Sequence, residues 1–182
     1  MLEKQGNIGT KERIENALIE LMGEQPYSAI SASAIAKRTG LSRQGFYLHF
    51  KSKDEVLLSF MLRLFSQLMD SVDRAGASTV EELVATYTAE VRRRKEALSL
   101  LAVNDLGVSL SYAFIRELNK RPPVLSCQRA PGDDSELRYL NTFWVSAFIA
   151  VYTQWFADGM KMPEEELIRI LTDIMLGSYF KT

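Results

Sequence analysis

Apolar residues recur along this chain at spacings of three and four positions, which is the period of a helix that buries one face. The first segment of this kind predicts a helix from about Lys11 to Met22, with Thr10 as its N-cap. Its apolar positions are Ile14, Ala17, Leu18, Leu21 and Met22. We find no alternation of the strand type over any length, so the pattern predicts an all-α protein.

Two short helices joined by a tight turn are predicted next. Ser31 can cap the first, and Gly40 stands where a left-handed residue ends a helix. The four residues Thr39 to Ser42 form the turn, and Ser42 can cap the second helix. This order of helix, glycine-containing turn and helix is the layout of a helix-turn-helix.

The second helix of this pair has two faces of different character. Phe46 and Phe50 lie one helical turn apart and predict a buried face. Arg43, Gln44 and Tyr47 lie on the opposite face. Because the helix is held only by its buried side, the other side is free to enter the major groove of DNA.

A long helix is expected to follow this pair. Ser52 and Glu55 have the spacing of a capping box, so the helix starts there and reaches about Arg74. Gly76 to Thr79 is the boundary at which a second region begins. Further helices are predicted at about Val80–Lys95, Ala97–Asn104, Leu106–Lys120, Glu136–Ala157 and Glu164–Tyr179.

Charge is distributed unevenly, although the net charge is only −1. No acidic residue lies between Glu24 and Asp54, whereas the same stretch holds Lys37, Arg38, Arg43, Lys51 and Lys53. A basic island on an otherwise acidic chain is expected of a protein that contacts a polyanion, with chance clustering as the alternative. A second basic run, Arg92 to Lys95, wraps nearly a full helical turn and is interpreted as a solvated helix end.

The chain has one cysteine, Cys127, and one histidine, His49. A single cysteine cannot form a disulfide within the chain, and one cysteine and one histidine cannot form a Cys/His metal site. We therefore expect no metal, no cofactor and a location in the reducing cytoplasm. Cys127 lies in a predicted loop from Arg121 to Ser135, where a bystander thiol is favoured over a redox sensor. The first ten residues lack the apolar run of a signal peptide, and Phe143–Tyr152 is too short to span a bilayer.

Several spaced elements in the first third of the chain match a known pattern. They are Ile35-Ala36, Gly40-Leu41-Ser42, Phe46-Tyr47, His49-Phe50, Lys51-Ser52-Lys53, Asp54-Glu55 and Leu57, with Thr10 and Arg13-Ile14 in the first helix. Together they resemble the DNA-binding motif of the TetR family of repressors. The resemblance implies an all-α fold in which residues 1–54 form a three-helix DNA-binding domain with a helix-turn-helix. A long helix would link it to a helical effector-binding and dimerisation domain, residues 55–182.

The resemblance also assigns roles to individual side chains. The residues over the base edges would be Arg43, Gln44 and Gly45, since arginine suits guanine and glutamine suits adenine. Those that contact phosphates would be Ser31, Ser42, Tyr47, His49 and Lys53. The alternatives are a solvated histidine at 49 and a core tyrosine at 47, but Phe46 and Phe50 already fill the buried side.

The second region is expected to dimerise. Phe143–Tyr152 is apolar on nearly all sides of its helix, so it needs a partner besides its own core. The last predicted helix carries a wide apolar stripe that includes Leu167, Ile168, Ile170, Leu171, Ile174, Met175 and Tyr179. Two such helices from each of two chains would form a four-helix bundle, and the resemblance implies the same homodimer. Candidate interface residues are Phe148, Tyr152, Ile170 and Ile174, and a buried helix in a monomer is the alternative.

The helices from about Val80 to Lys120 are expected to hold an effector. Candidate pocket residues are Tyr87, Tyr112, Phe114 and Trp144, for each of which core filling is the alternative. In the resembling family a ligand in this region spreads or locks the two DNA-reading heads. The sequence leaves open whether the effector is a small molecule or a protein.

These observations predict a regulator that binds a palindromic site in double-stranded DNA as a homodimer, acts as a repressor and responds to an unknown effector. The alternative is a helical regulator whose effector is a partner protein, or an activator. An enzyme is disfavoured, because the chain has no glycine-rich phosphate loop and no zinc-binding pair. Its single cysteine and histidine are far apart in sequence.

Overall fold

The structure is a computed structural model that describes residues 9–121 and 134–179. Within these ranges it consists of α-helices and one 3₁₀ turn, with no strand, which confirms the predicted all-α class. The α-helices are α1 (Thr10–Glu24), α2 (Ala32–Thr39), α3 (Arg43–Tyr47), α4 (Lys53–Ala75), α5 (Val80–Arg93), α6 (Lys95–Val103), α7 (Gly107–Leu118), α8 (Asp134–Ala157) and α9 (Glu164–Met175). The 3₁₀ turn is η1 (Tyr27–Ala29), which the apolar pattern did not predict.

Residue contacts divide the chain into two compact units, the first ending at Arg63 and the second beginning at Leu64. Helix α4 belongs to both units, because it starts at Lys53 and ends at Ala75. The domain boundary expected after residue 54 stays a prediction. None of the helices described has the length and apolar character that crossing a bilayer requires.

The first unit packs around side chains that have no exposed surface. These are Ile14, Leu18, Ile35, Phe46 and Val56. Helix α1 packs on α2, and α2 packs on α3. The apolar period in the sequence therefore identified the buried face of each helix correctly.

The start of α1 differs from the prediction. Thr10 is the first residue of the helix and not its cap, and Gly9 takes the N-cap position with no side-chain hydrogen bond. The Gly9 carbonyl accepts the amide of Arg13 at 3.0 Å. Apolar periodicity marks the buried positions of a helix but not its ends, which explains the error.

In the second unit α7 packs on α8, α5 on α9 and α6 on α8. The rings of Phe65 and Phe114 are 4.8 Å apart between centroids. Thr79 and Glu82 form a complete capping box at the start of α5. This box was not predicted, although Thr79 and Glu82 have the spacing of a capping box in the sequence.

The last helix is shorter than the sequence predicted. Helix α9 stops at Met175, because Gly177 adopts a left-handed φ of 70°. Tyr179 therefore lies outside the helix and is 50% exposed, so the apolar stripe is shorter than predicted. Most of the predicted loop before α8, including Cys127, lies outside the described residues.

Candidate functional site

Helix α3 is a short helix fixed by a cap and an aromatic anchor. The Ser42 side-chain oxygen accepts the amide of Gly45 at 3.0 Å, as the sequence predicted. Phe46 has no exposed surface and Phe50 is 3% exposed, and their ring centroids lie 6.4 Å apart. Phe46 thus holds one side of α3 in the first unit, whereas Phe50 anchors the segment after the helix, because α3 ends at Tyr47, earlier than the sequence predicted.

The opposite side of α3 is open to solvent. Arg43 and Gln44 are exposed, and Tyr47 is 45% exposed. The Arg43 guanidinium carbon lies 5.8 Å from the centroid of the Tyr47 ring, so the arginine is partly preorganised. The exposed donors and acceptors of this face suit the edges of bases in a major groove.

Gly45 has a local reason to be glycine besides close approach to DNA. A Cβ at this position would lie 3.3 Å from the Ser42 hydroxyl oxygen. That contact is tight, and relieving it would push on the oxygen that caps α3. The glycine therefore protects the cap while leaving the backbone accessible.

The turn before α3 has the predicted geometry. Gly40 adopts φ 73°, the left-handed conformation in which glycine carries no steric penalty. Ser31 accepts the amide of Ala34 at 3.1 Å and so caps α2. Both helices of the pair begin with an exposed, serine-capped N-terminus.

The start of α4 has only half of the predicted capping box. The Ser52 hydroxyl oxygen accepts the amide of Glu55 at 3.1 Å. The Glu55 carboxylate, however, accepts the amide of Lys51 and not that of Ser52. The sequence pattern identified the two residues but not which amide the carboxylate reaches.

The structure gives Lys53 partners other than phosphate. Its ammonium donates to the backbone carbonyls of Tyr27, Ser28 and Ile30, at 2.8, 3.2 and 2.9 Å. The same nitrogen lies 4.4 Å from the centroid of the Tyr27 ring. An ammonium has three donors, and all three are used here. The sequence analysis missed this role because η1 was not predicted.

The remaining basic side chains of the first unit differ in how far they are neutralised. Arg38 is paired with Glu24 at 2.6 Å and with Glu20 at 3.5 Å. Lys11, by contrast, is exposed, and its nitrogen lies 5.5 Å from the Phe50 ring centroid. Phe50 immediately follows His49, so Lys11 adds positive charge beside the candidate phosphate contacts. It lies outside the motif and was not singled out from the sequence.

Three arginines of the second basic run form ion pairs with two glutamates. Arg92 pairs with Glu164 at 2.6 Å. Arg93 and Arg94 both pair with Glu90. Burial raises the pKa of Glu90, but the two arginines outweigh it and lower the pKa overall. Ion pairing within the unit suits the interpretation of this run as a helix end.

An apolar cavity of about 30 Å³ lies in the second unit. Its lining includes Tyr87 and Phe114 but neither Tyr112 nor Trp144. Tyr112 is 71% exposed, and Trp144 packs against the rings of Phe143 and Phe148. Two of the four candidate pocket residues are therefore placed elsewhere, because aromatic character alone does not say which face of a helix a residue occupies.

The candidate dimer residues differ in how deeply they are buried. Tyr152 is 4% exposed, and its hydroxyl lies 2.6 Å from that of Thr88, so it belongs to the core of its own unit. Phe148, Ile170 and Ile174 are half-buried. The large apolar side chains exposed on the described part of α8 are instead Tyr139, at 77%, and Phe143, at 58%.

Comparison with known proteins agrees with the geometry of the first unit. Residues 14–60 match the family described as bacterial regulatory proteins, tetR family. Residues 124–177 match a transcriptional regulator C-terminal region, and together the two matches cover more than half of the chain. The chain belongs to the TetR family of transcriptional regulators.

One relative supports this membership. An uncharacterized HTH-type transcriptional regulator, YerO from Bacillus subtilis, is 45% identical over 104 residues, which is 53% of this chain. The match covers only 36% of that protein's length. All the candidate base and phosphate contacts lie within the TetR-family match at residues 14–60, whereas Lys11 precedes it.

Several solved structures of regulators share the fold. The fatty acid degradation regulator FadR from Bacillus halodurans has a TM-score of 0.64 at 17% identity, covering 99% of this chain and 100% of that one. A TetR regulator from Streptococcus agalactiae scores 0.63 at 23% identity, covering 91% and 92%. FadR from Bacillus subtilis, in complex with stearoyl-CoA, scores 0.62 at 15% identity, covering 92% and 98%. These structures confirm the predicted fold class, and the matches at residues 14–60 and 124–177 confirm the predicted family.

Proposed function

We propose that this TetR-family chain is a repressor that binds a near-palindromic operator as a homodimer and is released by an effector. The observation that carries the proposal is the arrangement of α3. Phe46 is fully buried, while Arg43 and Gln44 on the same five-residue helix are exposed. The chain acts by binding and not by catalysis.

Two groups of side chains contact different parts of the operator. Arg43 and Gln44 read base edges, and Gly45 allows the backbone to approach. Phosphates are contacted by Ser31, Ser42, Tyr47 and His49, which set register and carry no sequence information. Lys53 does not belong to this second group, because its ammonium donates to three backbone carbonyls.

A second copy of the chain covers the exposed face of α8. Tyr139 and Phe143 lie one helical turn apart and are both more than half exposed. In α9, Ile170 and Ile174 are half-buried, and burial against a partner would complete the removal of their surface from water. A two-fold dimer suits DNA, because it presents two α3 helices to the two halves of a palindrome.

The effector enters the apolar cavity of the second unit. At about 30 Å³ the cavity has room for roughly one water molecule, so a ligand must enlarge it on binding. All the lining side chains are uncharged, which favours an apolar ligand body. Long-chain acyl compounds are the first to screen, since FadR from Bacillus subtilis was solved with stearoyl-CoA.

Selection of genomic fragments by the purified protein tests DNA binding. We expect an enriched near-palindromic sequence whose affinity falls steeply with salt. Arg43→Ala should lose the enrichment, whereas Arg92→Ala, the same change in the second unit, should keep it. No enrichment together with salt-independent binding would refute the proposal.

The effector site is tested by filling the cavity. Ala102 lines it, so Ala102→Val should reduce stabilisation by a bound acyl compound in thermal melts while operator binding persists. Ala157→Val, at an exposed position on α8, is the control and should change neither property. Equal ligand response in both variants would place the effector elsewhere.

A further inference from the structure

The ammonium of Lys53 closes a compact contact between the first residue of α4 and η1. Its three acceptors are the carbonyls of Tyr27, Ser28 and Ile30, all within 3.2 Å. The carbonyls of Ser28 and Ile30 accept no backbone hydrogen bond in the described part of the chain. Lys53 is therefore the donor that satisfies them.

Tyr27 joins the same contact from two directions. Its ring lies 4.4 Å below the Lys53 nitrogen, and its hydroxyl donates to the carboxylate of Asp54. Burial, and then the bond to Asp54, raises the pKa of the Tyr27 hydroxyl, so it remains a neutral donor. Two consecutive residues of α4 thus hold the backbone and the side chain of one turn.

The held segment leads directly into the DNA-binding helix pair. Ile30 is 2% exposed, and the next residue, Ser31, caps α2. Lys53 lies three residues after Phe50, which is buried in the segment between α3 and α4. The contact therefore relates the N-terminus of α2 to the segment between α3 and α4.

We propose that Lys53 is a positioning residue, which holds η1 and so orients the capped start of α2 for DNA, rather than a phosphate contact. The inference rests on the proposed DNA binding. Binding a phosphate would take at least one donor away from η1 and break a hydrogen bond that holds the turn. The positive charge that faces the phosphates is instead carried by exposed side chains such as Lys11 and Lys51.

Salt dependence separates the two roles of Lys53. Operator affinity is measured against salt concentration for the wild type, Lys53→Met, Lys53→Arg and the control Lys51→Met. A phosphate contact contributes about one unit to the slope of log affinity against log salt. We expect Lys53→Met to weaken binding about tenfold with an unchanged slope, as for the loss of part-buried hydrogen bonds from a charged group. Lys51→Met should lower the slope by about one unit.

Lys53→Arg gives the sharper distinction. A guanidinium keeps the charge and binds phosphate well, but its planar donors do not converge on three carbonyls as an ammonium does. Positioning predicts that arginine fails to rescue affinity. Wild-type affinity in Lys53→Arg, together with a lower slope in Lys53→Met, would overturn the proposal.

Amide hydrogen exchange tests, without DNA, whether Lys53 holds η1 in place. Lys53→Met should speed exchange in residues 27–31 while the amides of α7 and α8 keep their rates, and unchanged exchange at 27–31 would overturn the proposal. If Lys53→Met does not fold, Tyr27→Leu removes the ring and the Asp54 bond without changing a formal charge, and it should also accelerate exchange at 27–31. Failure of the wild type to bind any operator would refute the proposed function, whereas the exchange data would still decide the role of Lys53.

Discussion

The Arg63 Nε lies 2.5 Å from a carboxylate oxygen of Glu15, whose side chain is only 4% exposed. The same guanidinium reaches Glu12 at 3.3 Å and Asn16 at 3.1 Å. Ser59 donates to the other Glu15 oxygen at 2.6 Å. Helix α1 is thereby tied to the half of α4 that belongs to the DNA-binding unit.

Removing Arg63 while Glu15 remains should destabilise the protein. Arg63→Met leaves the Glu15 carboxylate buried without a counter-charge, and we expect the free energy of unfolding to fall by about 3 kcal/mol. Urea denaturation measures this loss. The double variant Glu15→Met/Arg63→Met is the control and should be more stable than Arg63→Met alone, because no charge remains buried. A double variant as unstable as the single one would contradict this account.

Two buried threonines in the second unit should respond oppositely to the same substitution. The Thr88 hydroxyl bonds the Val84 carbonyl at 2.7 Å and the Tyr152 hydroxyl at 2.6 Å, so Thr88→Val should destabilise by about 1–2 kcal/mol. The Thr172 hydroxyl is buried without a hydrogen-bond partner among the described residues, so Thr172→Val should be neutral or stabilise by about 1 kcal/mol. Thermal melts of both variants check the difference. Equal losses in the two would show that Thr172 has a partner after all.

Lys11 should contribute to operator binding although it lies outside the family motif. Its ammonium is exposed beside Phe50, so Lys11→Gln should reduce affinity and lower the salt slope by about one unit. Arg92→Gln removes the same charge from a side chain paired with Glu164 and should leave the slope unchanged. Fluorescence anisotropy at several salt concentrations measures both. Identical slopes in the two variants would remove Lys11 from the interface.

Arg43 and Gln44 should govern different positions of the operator. Arg43→Ala should cost about 1–3 kcal/mol on the selected site and relax the preference at one base pair, as expected for the loss of a bidentate guanine contact. Gln44→Ala should relax an adjacent position instead. Binding to a panel of single-base operator variants measures this. A uniform loss over all variants would show that Arg43 contacts only phosphates.

The period of apolar residues was sufficient to predict the DNA-binding helix pair. Phe46 and Phe50 are four positions apart and both are buried, and Tyr47 is exposed, as the period predicted, although α3 ends before Phe50. Gly40 and the two serines that cap α2 and α3 act through their own backbone neighbours. Interactions of this kind are local, which is why they are legible without a structure.

Tertiary structure decided the features that depend on residues far apart in sequence. Lys53 reaches carbonyls more than twenty positions earlier, and Tyr152 pairs with Thr88 across 64 positions. The charge pattern shows only that Lys53 belongs to a basic island, and the apolar run shows only that Tyr152 is buried, without its partner. The sequence by itself therefore determined the fold class, the family and the face of α3 that is open. Only the packing of the fold decided which polar groups remain without a hydrogen-bond partner. Each donor bonds to the acceptor that the fold places next to it.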